Sequence, residues 1–126
     1  MSSRNKDKLG RLGEKQAARF LKRRGYRILG RNVALGIGEI DLVARDGDEL
    51  VFVEVKTRTD DDFGSPLLAV DRHKRHKLVQ LARTYLAKHN ISDAPCRFDV
   101  IGITARDGRK DPEIELVRDA FTLRET

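Results

Sequence analysis

Apolar residues along this chain recur first at helical spacing. From Leu9 to Arg24, the residues Leu9, Leu12, Ala17, Phe20 and Leu21 fall on one face while Arg and Lys fill the other. This is the pattern of an amphipathic helix with one buried stripe, and Gly25 is placed to end it. Tyr26 to Leu35 carries Tyr26, Ile28, Leu29, Val33 and Leu35 and reads as a strand made irregular by Gly30 and Asn32. Glu39 to Arg45 and Leu50 to Thr57 are rich in Val, Ile, Leu and Phe, with Asp46-Gly47-Asp48-Glu49 between them, the strongest hairpin signal in the chain. Thr57 to Pro66 is polar and full of breakers, which predicts a mobile surface loop. Asp71 is positioned to cap a second helix reaching about His89, with Leu78, Leu81, Ala82, Tyr85 and Leu86 toward the core. Two short strands follow, near Arg97 to Ile103 and Ile114 to Val117, separated by the turn signal Arg106-Asp107-Gly108. The order helix, three strands, helix, two strands predicts an α/β fold with a central mixed sheet flanked by helices.

The length of 126 residues suits a single domain spanning the whole sequence. Charged residues make up 37% against 39% hydrophobic, but the apolar positions cluster in periodic blocks, so the chain is expected to fold under a heavily charged surface. Lys and Arg number 26 against 20 Asp and Glu, a net charge of +6 that raises the local concentration of polyanions. On charge alone, nucleic acid, a membrane surface and plain solubility all stay open. Cys96 is the single cysteine, which excludes an intramolecular disulfide and a cysteine-based zinc cluster and points to the cytoplasm. The first eight residues are basic but no apolar run follows them, so they do not read as a signal peptide. No stretch approaches the roughly 18 apolar residues of a membrane span.

Chemistry enters at Glu54, which interrupts the apolar run Val51-Phe52-Val53-Glu54-Val55, where a carboxylate is costly without compensation. Lys56 points to the same face of the strand and offers one partner. From these two residues, a structural ion pair and a catalytic pair are both readings. The hairpin adds a constraint. If Gly47 and Asp48 form a two-residue loop, cross-strand partners have numbers that sum to 95, so Asp41 faces Glu54, Glu39 faces Lys56 and Val43 faces Phe52. A three-residue loop would send the two carboxylates to opposite faces. Opposed carboxylates have Cβ atoms about 5 Å apart and repel, a conflict a divalent cation relieves. Mg²⁺ commonly takes one or two carboxylates and keeps exchangeable waters, a demand that Asp41 and Glu54 match. Lys56 would then orient a water or neutralise charge developing on a phosphate. Glu39 is either a further ligand or the partner of Lys56.

Asp41 followed by Glu54-Val55-Lys56 on the second strand of a hairpin resembles the PD-(D/E)xK nuclease core, with Ile40 in place of the proline of that name. Four blocks in order, Gly13-Glu14, Gly38-Glu39-Ile40-Asp41-Leu42, Val51 through Arg58, and Arg97-Phe98-Asp99-Val100, look like the YraN-like family. That family is similar to archaeal Holliday-junction resolvases, and the resemblance covers nearly the whole chain. It implies a restriction-endonuclease-like fold and a site using Mg²⁺ or Mn²⁺ that acts on branched or structured DNA. A homodimer would present such sites to two strands. The resemblance also brings the helix residue Glu14 toward the metal site and makes the Val55 carbonyl a further metal oxygen. Lys74, one turn before Leu78 on the core stripe, is a candidate for reaching across the site to a phosphate.

The remaining candidates are simpler. Arg58, Arg72, Lys74, Arg75 and Lys77 form the basic set expected to meet phosphates. His73 and His76 have no carboxylate partner on their face, so they read as basic surface rather than as zinc ligands. Asp99, between Phe98 and Val100, reads as a buried hydrogen-bond acceptor or as a supporting residue at the site. Ser65 and Cys96 lack a nearby base, so nucleophilic catalysis is not indicated. The rivals to a nuclease are a nucleic-acid-binding module with an idle site and an adaptor that recruits another protein along an exposed hairpin edge.

Overall fold

A computed structural model describes residues 3–58, 64–105 and 111–123, with side chains from residue 10 onward. Helix α1 runs over Ser3–Arg23, followed by strands β1 (Arg27–Ala34), β2 (Glu39–Asp46) and β3 (Glu49–Arg58). A 3-10 turn at Pro66–Ala69 leads into helix α2 (Arg72–Lys88), and strands β4 (Cys96–Thr104) and β5 (Glu113–Phe121) complete the chain. The predicted order therefore holds, with α1 beginning earlier and β5 extending further than the apolar pattern marks. Gly25, at φ +90°, terminates α1, and the Asp71 carboxylate accepts from the Lys74 amide at the start of α2. The expected loop tip and the turn at Arg106-Asp107-Gly108 fall largely in 59–63 and 106–110, outside the described residues.

The five strands lie in chain order, β1-β2-β3-β4-β5, all neighbours antiparallel except β3 and β4. That one parallel pair exists because α2 intervenes as a crossover, the connection parallel strands require. This is a mixed sheet with a helix on each face, as in a restriction-endonuclease-like fold. β2 and β3 have strand neighbours on both sides, so the hairpin is interior and offers no exposed edge for an adaptor. The edges are β1 and β5.

Alternation along β3 divides the core. Leu50 and Phe52 face Leu78, Leu81, Ala82 and Tyr85 of α2, while Val51 and Val53 face Ala17, Ala18 and Leu21 of α1. The Phe52 ring meets Tyr85 edge-on at 5.6 Å and Phe98 at 5.5 Å, geometry that aromatic quadrupoles favour. Two residues depart from the expected pattern. Leu12 is 52% exposed although it shares the helical stripe, because the helix meets the sheet through smaller residues. Gly13 is one: a Cβ there would lie 2.5 Å from Thr57 Oγ1, so helix and strand approach closely at that level. Val79, outside the predicted face of α2, is fully buried.

Gly102 of β4 makes a second close approach, on the other side of the sheet. A Cβ at this position would stand 2.5 Å from Pro66 Cγ and 3.1 Å from an Arg58 guanidinium nitrogen. The Pro66 ring is rigid, so the segment leading into α2 would have to lift. Gly102→Ala is expected to destabilise the fold by about 1–3 kcal/mol through overpacking. Adding Pro66→Ala should return part of that loss. Thermal melts of the two single variants and the double variant check this, and additive effects would show that the two residues do not press on one another.

Candidate functional site

The site is built by where β2 and β3 stop pairing. Gly47 at φ +60° begins the two-residue loop, the conformation that a primed turn with glycine first requires. The pairs from Asp46–Glu49 to Leu42–Val53 follow the expected register, and the ladder ends there. One step further, Asp41 does not continue the pairing. Its Oδ2 instead accepts from the Val55 amide at 2.8 Å, so a side chain replaces the backbone partner that a longer ladder would have supplied. The β1 side is irregular at the same level: Arg31 pairs with Leu42 and Val33 with Ile40, while Asn32 between them adopts φ +49°. Ile40 and Val43 both pack on the α2 face although strict alternation would put them on opposite faces. The backbone therefore kinks at Asp41 and parts from β3, leaving that carboxylate beside Glu54.

Both carboxylates are held in an unfavourable setting. Burial and the neighbouring Asp41 charge push the Glu54 pKa up to about 7, against the opposing pull of Lys74 and Lys56. Burial also raises Asp41, with the Val55 amide and Lys74 acting in the other direction and Glu39 adding to the rise. Asp41 owns a backbone donor, so it is the member better equipped to keep its charge, and Glu54 carries the proton the pair retains longer. Lys74 of α2 supplies compensation through a contact of its Nζ with Glu54 Oε1 at 3.4 Å. The cation on Glu54 is thus Lys74 and not Lys56, which is exposed and acts on Glu54 only through space. Glu39 is exposed as well and reaches Asp41 and Glu14 only through its charge.

Glu14 approaches from the opposite face, on α1. Burial and the Asp41 charge raise its pKa, with a hydrogen bond from Asn32 working against them. Its Oε2 is buried and has no hydrogen-bond partner among the described residues. Asn32 is a site residue that motif and spacing do not mark. A signal for it exists all the same, because asparagine tolerates the left-handed backbone that this interruption of β1 needs.

Among the described residues, the contacts of this pair fall on Asp41 Oδ2 and Glu54 Oε1, and none falls on Asp41 Oδ1 or Glu54 Oε2. In an extended strand the N–H and C=O of one residue face the same neighbour, so the Val55 carbonyl also looks into the gap left by β2. Two carboxylate oxygens and a carbonyl form a hard, all-oxygen donor set, suited to Mg²⁺ or Mn²⁺ and unlike a zinc site. Among the described residues, no three Asp, Glu, His or Cys side chains already converge as a ligand group. A cation here would therefore rest on two side chains, backbone and water, with Glu14 behind them.

Other expected residues stand elsewhere. Asp99 is buried on the α1 face, where it accepts from Tyr26 Oη at 2.9 Å, Arg97 Nε at 3.1 Å and the Asp119 amide at 3.0 Å. Arg97 also reaches Asp46 at 2.8 Å and Glu49 at 3.0 Å, so this network clamps the turn end of the hairpin. Asp99 is a structural acceptor there and takes no part in the carboxylate cluster. Arg58 is largely enclosed, donating to the Gly64 carbonyl at 2.7 Å and facing Glu115 at 3.7 Å. Arg75 donates to the Val70 carbonyl and lies over Phe121. Both work inside the fold. Arg72, His73 and His76 are exposed, and Lys77 packs beside Gly38 near the site.

The sequence profile described as "Uncharacterised protein family UPF0102" matches residues 13–103, a stretch that includes every candidate carboxylate from Glu14 to Asp99. The chain is 49% identical over 123 residues to a UPF0102 protein of Geobacter metallireducens, covering 98% of both chains. It is 47% identical over 115 residues to one of Geotalea uraniireducens, covering 91% of this chain and 90% of the relative. Against UPF0102 protein TTE1452 of Caldanaerobacter subterraneus subsp. tengcongensis, identity is 48% over 103 residues, covering 82% and 84%. Matches of this extent and identity make the chain a member of the UPF0102, YraN-like family.

Proposed function

We propose that this protein binds branched or structured DNA and hydrolyses its phosphodiester bonds as a metal-dependent endonuclease of the PD-(D/E)xK type. The observation that carries this reading is the pairing of Asp41 with Glu54 where β2 and β3 part, at raised pKa values and beside two lysines. A fold selected for stability alone gains nothing from that arrangement. A bound Mg²⁺ or Mn²⁺ would polarise a phosphate oxygen and acidify a coordinated water. The chain's own part is to hold two carboxylate oxygens and the Val55 carbonyl around one point and to supply positive charge beside it. Lys56, exposed and unpaired among the described residues, is free to meet charge developing on the phosphate. Lys74 can follow once Glu54 is otherwise satisfied. The working compartment would be the cytoplasm, and pairing of two copies would set one site on each of two strands.

The Lys74–Glu54 contact supports a second reading. A lysine already neutralising Glu54 suits a binding module that retains the site without turnover. Cleavage assays on junction, flap, duplex and single-stranded substrates with Mn²⁺ separate the two, with Asp41→Ala as the control for contaminating nuclease. Glu54→Gln is expected to lose Mn²⁺ affinity in calorimetric titration together with cleavage, whereas Lys56→Ala keeps the metal and loses turnover. Equal Mn²⁺ binding by wild type and Glu54→Gln would remove the metal from this place.

The pair also predicts how the metal-free protein responds to pH. A carboxyl whose folded pKa is raised binds its proton more tightly when folded, so stability falls as pH rises through the interval. For Glu54 that interval runs from the usual 4.5 up to about 7. In chelator, wild type should therefore lose thermal stability across this range relative to Glu54→Gln. A constant difference between the two proteins would show that Glu54 titrates normally. Asp41→Asn keeps an oxygen for the Val55 amide while removing the repulsion, so at neutral pH it should equal or exceed wild type, by on the order of 1 kcal/mol. Mn²⁺ should then stabilise wild type more than the variant. Clear destabilisation of Asp41→Asn without metal would favour the structural ion-pair reading.

A further inference from the structure

One face of α1 is left unexplained by the site. Arg11, Lys15, Arg19, Lys22 and Arg23 are all exposed, and none is ion-paired with a described residue. Arg11, Lys15, Arg19 and Arg23 succeed one another at i, i+4, the spacing at which like charges on a helix repel. The helix dipole accounts for cations only in the last turn, here Lys22 and Arg23. A solvated face ordinarily mixes both signs, yet the single acid between residues 10 and 24 is Glu14, which is turned inward. Beside this row, a groove of about 310 Å³ runs between α1 and the start of β5. Gln16, Arg19, Phe20 and Arg23 line it from the helix, with Asp111 as an opposing charge.

We propose that the outer face of α1 is a second nucleic-acid contact surface, along which Arg11, Lys15 and Arg19 track the phosphate backbone of DNA. The inference rests on the reading of the protein as DNA-binding and adds where the strand runs. The row begins on the same turn of α1 as Glu14, whose side chain is turned inward toward Asp41. From Arg11 to Arg23 it spans about 18 Å at the helical rise, roughly five phosphate steps of one duplex strand at 3.4 Å each. A bilayer is the poorer partner for a basic helix here, because the apolar face that would insert is spent on the sheet through Ala17, Ala18 and Leu21.

The test is fluorescence anisotropy with a labelled four-way DNA junction and a matching duplex, in chelator, between about 50 and 200 mM salt. Wild type is compared with the triple variant Arg11→Gln, Lys15→Gln, Arg19→Gln and with a control of equal charge loss, Arg27→Gln, Arg45→Gln, Lys88→Gln. Glutamine keeps helix propensity close to that of Lys and Arg, and circular dichroism verifies folding. The α1 variant should flatten the slope of log K against log salt by about 2 to 3, near 0.9 for each phosphate no longer neutralised, and weaken binding by roughly tenfold or more. The control should keep a slope close to wild type. Equal losses in both triples would overturn the α1 track while leaving DNA binding intact. Wild type that does not bind either DNA would overturn the underlying reading and the track with it. Binding to phosphatidylserine vesicles without binding to DNA would assign this face to a membrane instead.

Discussion

The parity of one hairpin register governs this molecule. A two-residue loop at Gly47 and Asp48 decides which side chains of β2 and β3 share a face, and a shift of one residue would set side chains packed under α1 against partners packed under α2. Arg97 secures that choice from the neighbouring strand by bonding Asp46 and Glu49, the residues on either side of the loop. Burial alone would disfavour the guanidinium's charge, but its bonds to Asp99 and Asp46 more than offset this and hold its pKa above the usual arginine value. With the turn end fixed, the other end of the hairpin is where the strands are free to separate, and Asp41 is the residue at which they do.

The two charged clusters of the fold differ in how completely they are satisfied. Around Asp99, Oδ1 accepts from Arg97 and Asp119 and Oδ2 from Tyr26 and Arg97, so the buried charge is fully bonded. Around Asp41 and Glu54 the bonding stays incomplete. One half-exposed lysine serves two carboxylates, and the buried Glu14 Oε2 behind them has no hydrogen-bond partner among the described residues. A buried network with members left over is costly to a fold, and here the unmet charge is negative.

Much of this was legible in the chain because it depended on local rules. The loop length followed from Gly47-Asp48 and the register from the loop as far as Leu42 and Val53; beyond that the expected Asp41–Glu54 and Glu39–Lys56 pairs do not form, and Asp41 comes beside Glu54 because the strand kinks there. The α2 cap at Asp71 and the stop at Gly25 followed from residue chemistry alone. What was not legible depended on distance in the sequence. The α2 stripe marks Lys74 as able to reach the site, but that its partner there is Glu54 depends on where α2 crosses the sheet, which no spacing within either segment contains. The enclosure of Arg58 and the bonding of Asp99 to Tyr26 are tertiary in the same way. Leu12 misled for a related reason: helical periodicity marks a face but not which of its residues the sheet meets, and here the close contact falls on Gly13.

The irregularities of the two outer strands bear on something other than the site. An open sheet edge is a template on which further strands can add, and flat, regular edges invite self-association. β1 shifts register between Ile28 and Gly30 and turns left-handed at Asn32, and β5 carries Asp119 at φ +50° opposite a shift between Phe98 and Val100. Both borders are therefore interrupted, which disfavours continuing the hydrogen-bond pattern into another molecule. The same irregularity that brings Asn32 to Glu14 interrupts the border it lies on, so a feature of the site also blunts an edge against edge-to-edge strand addition.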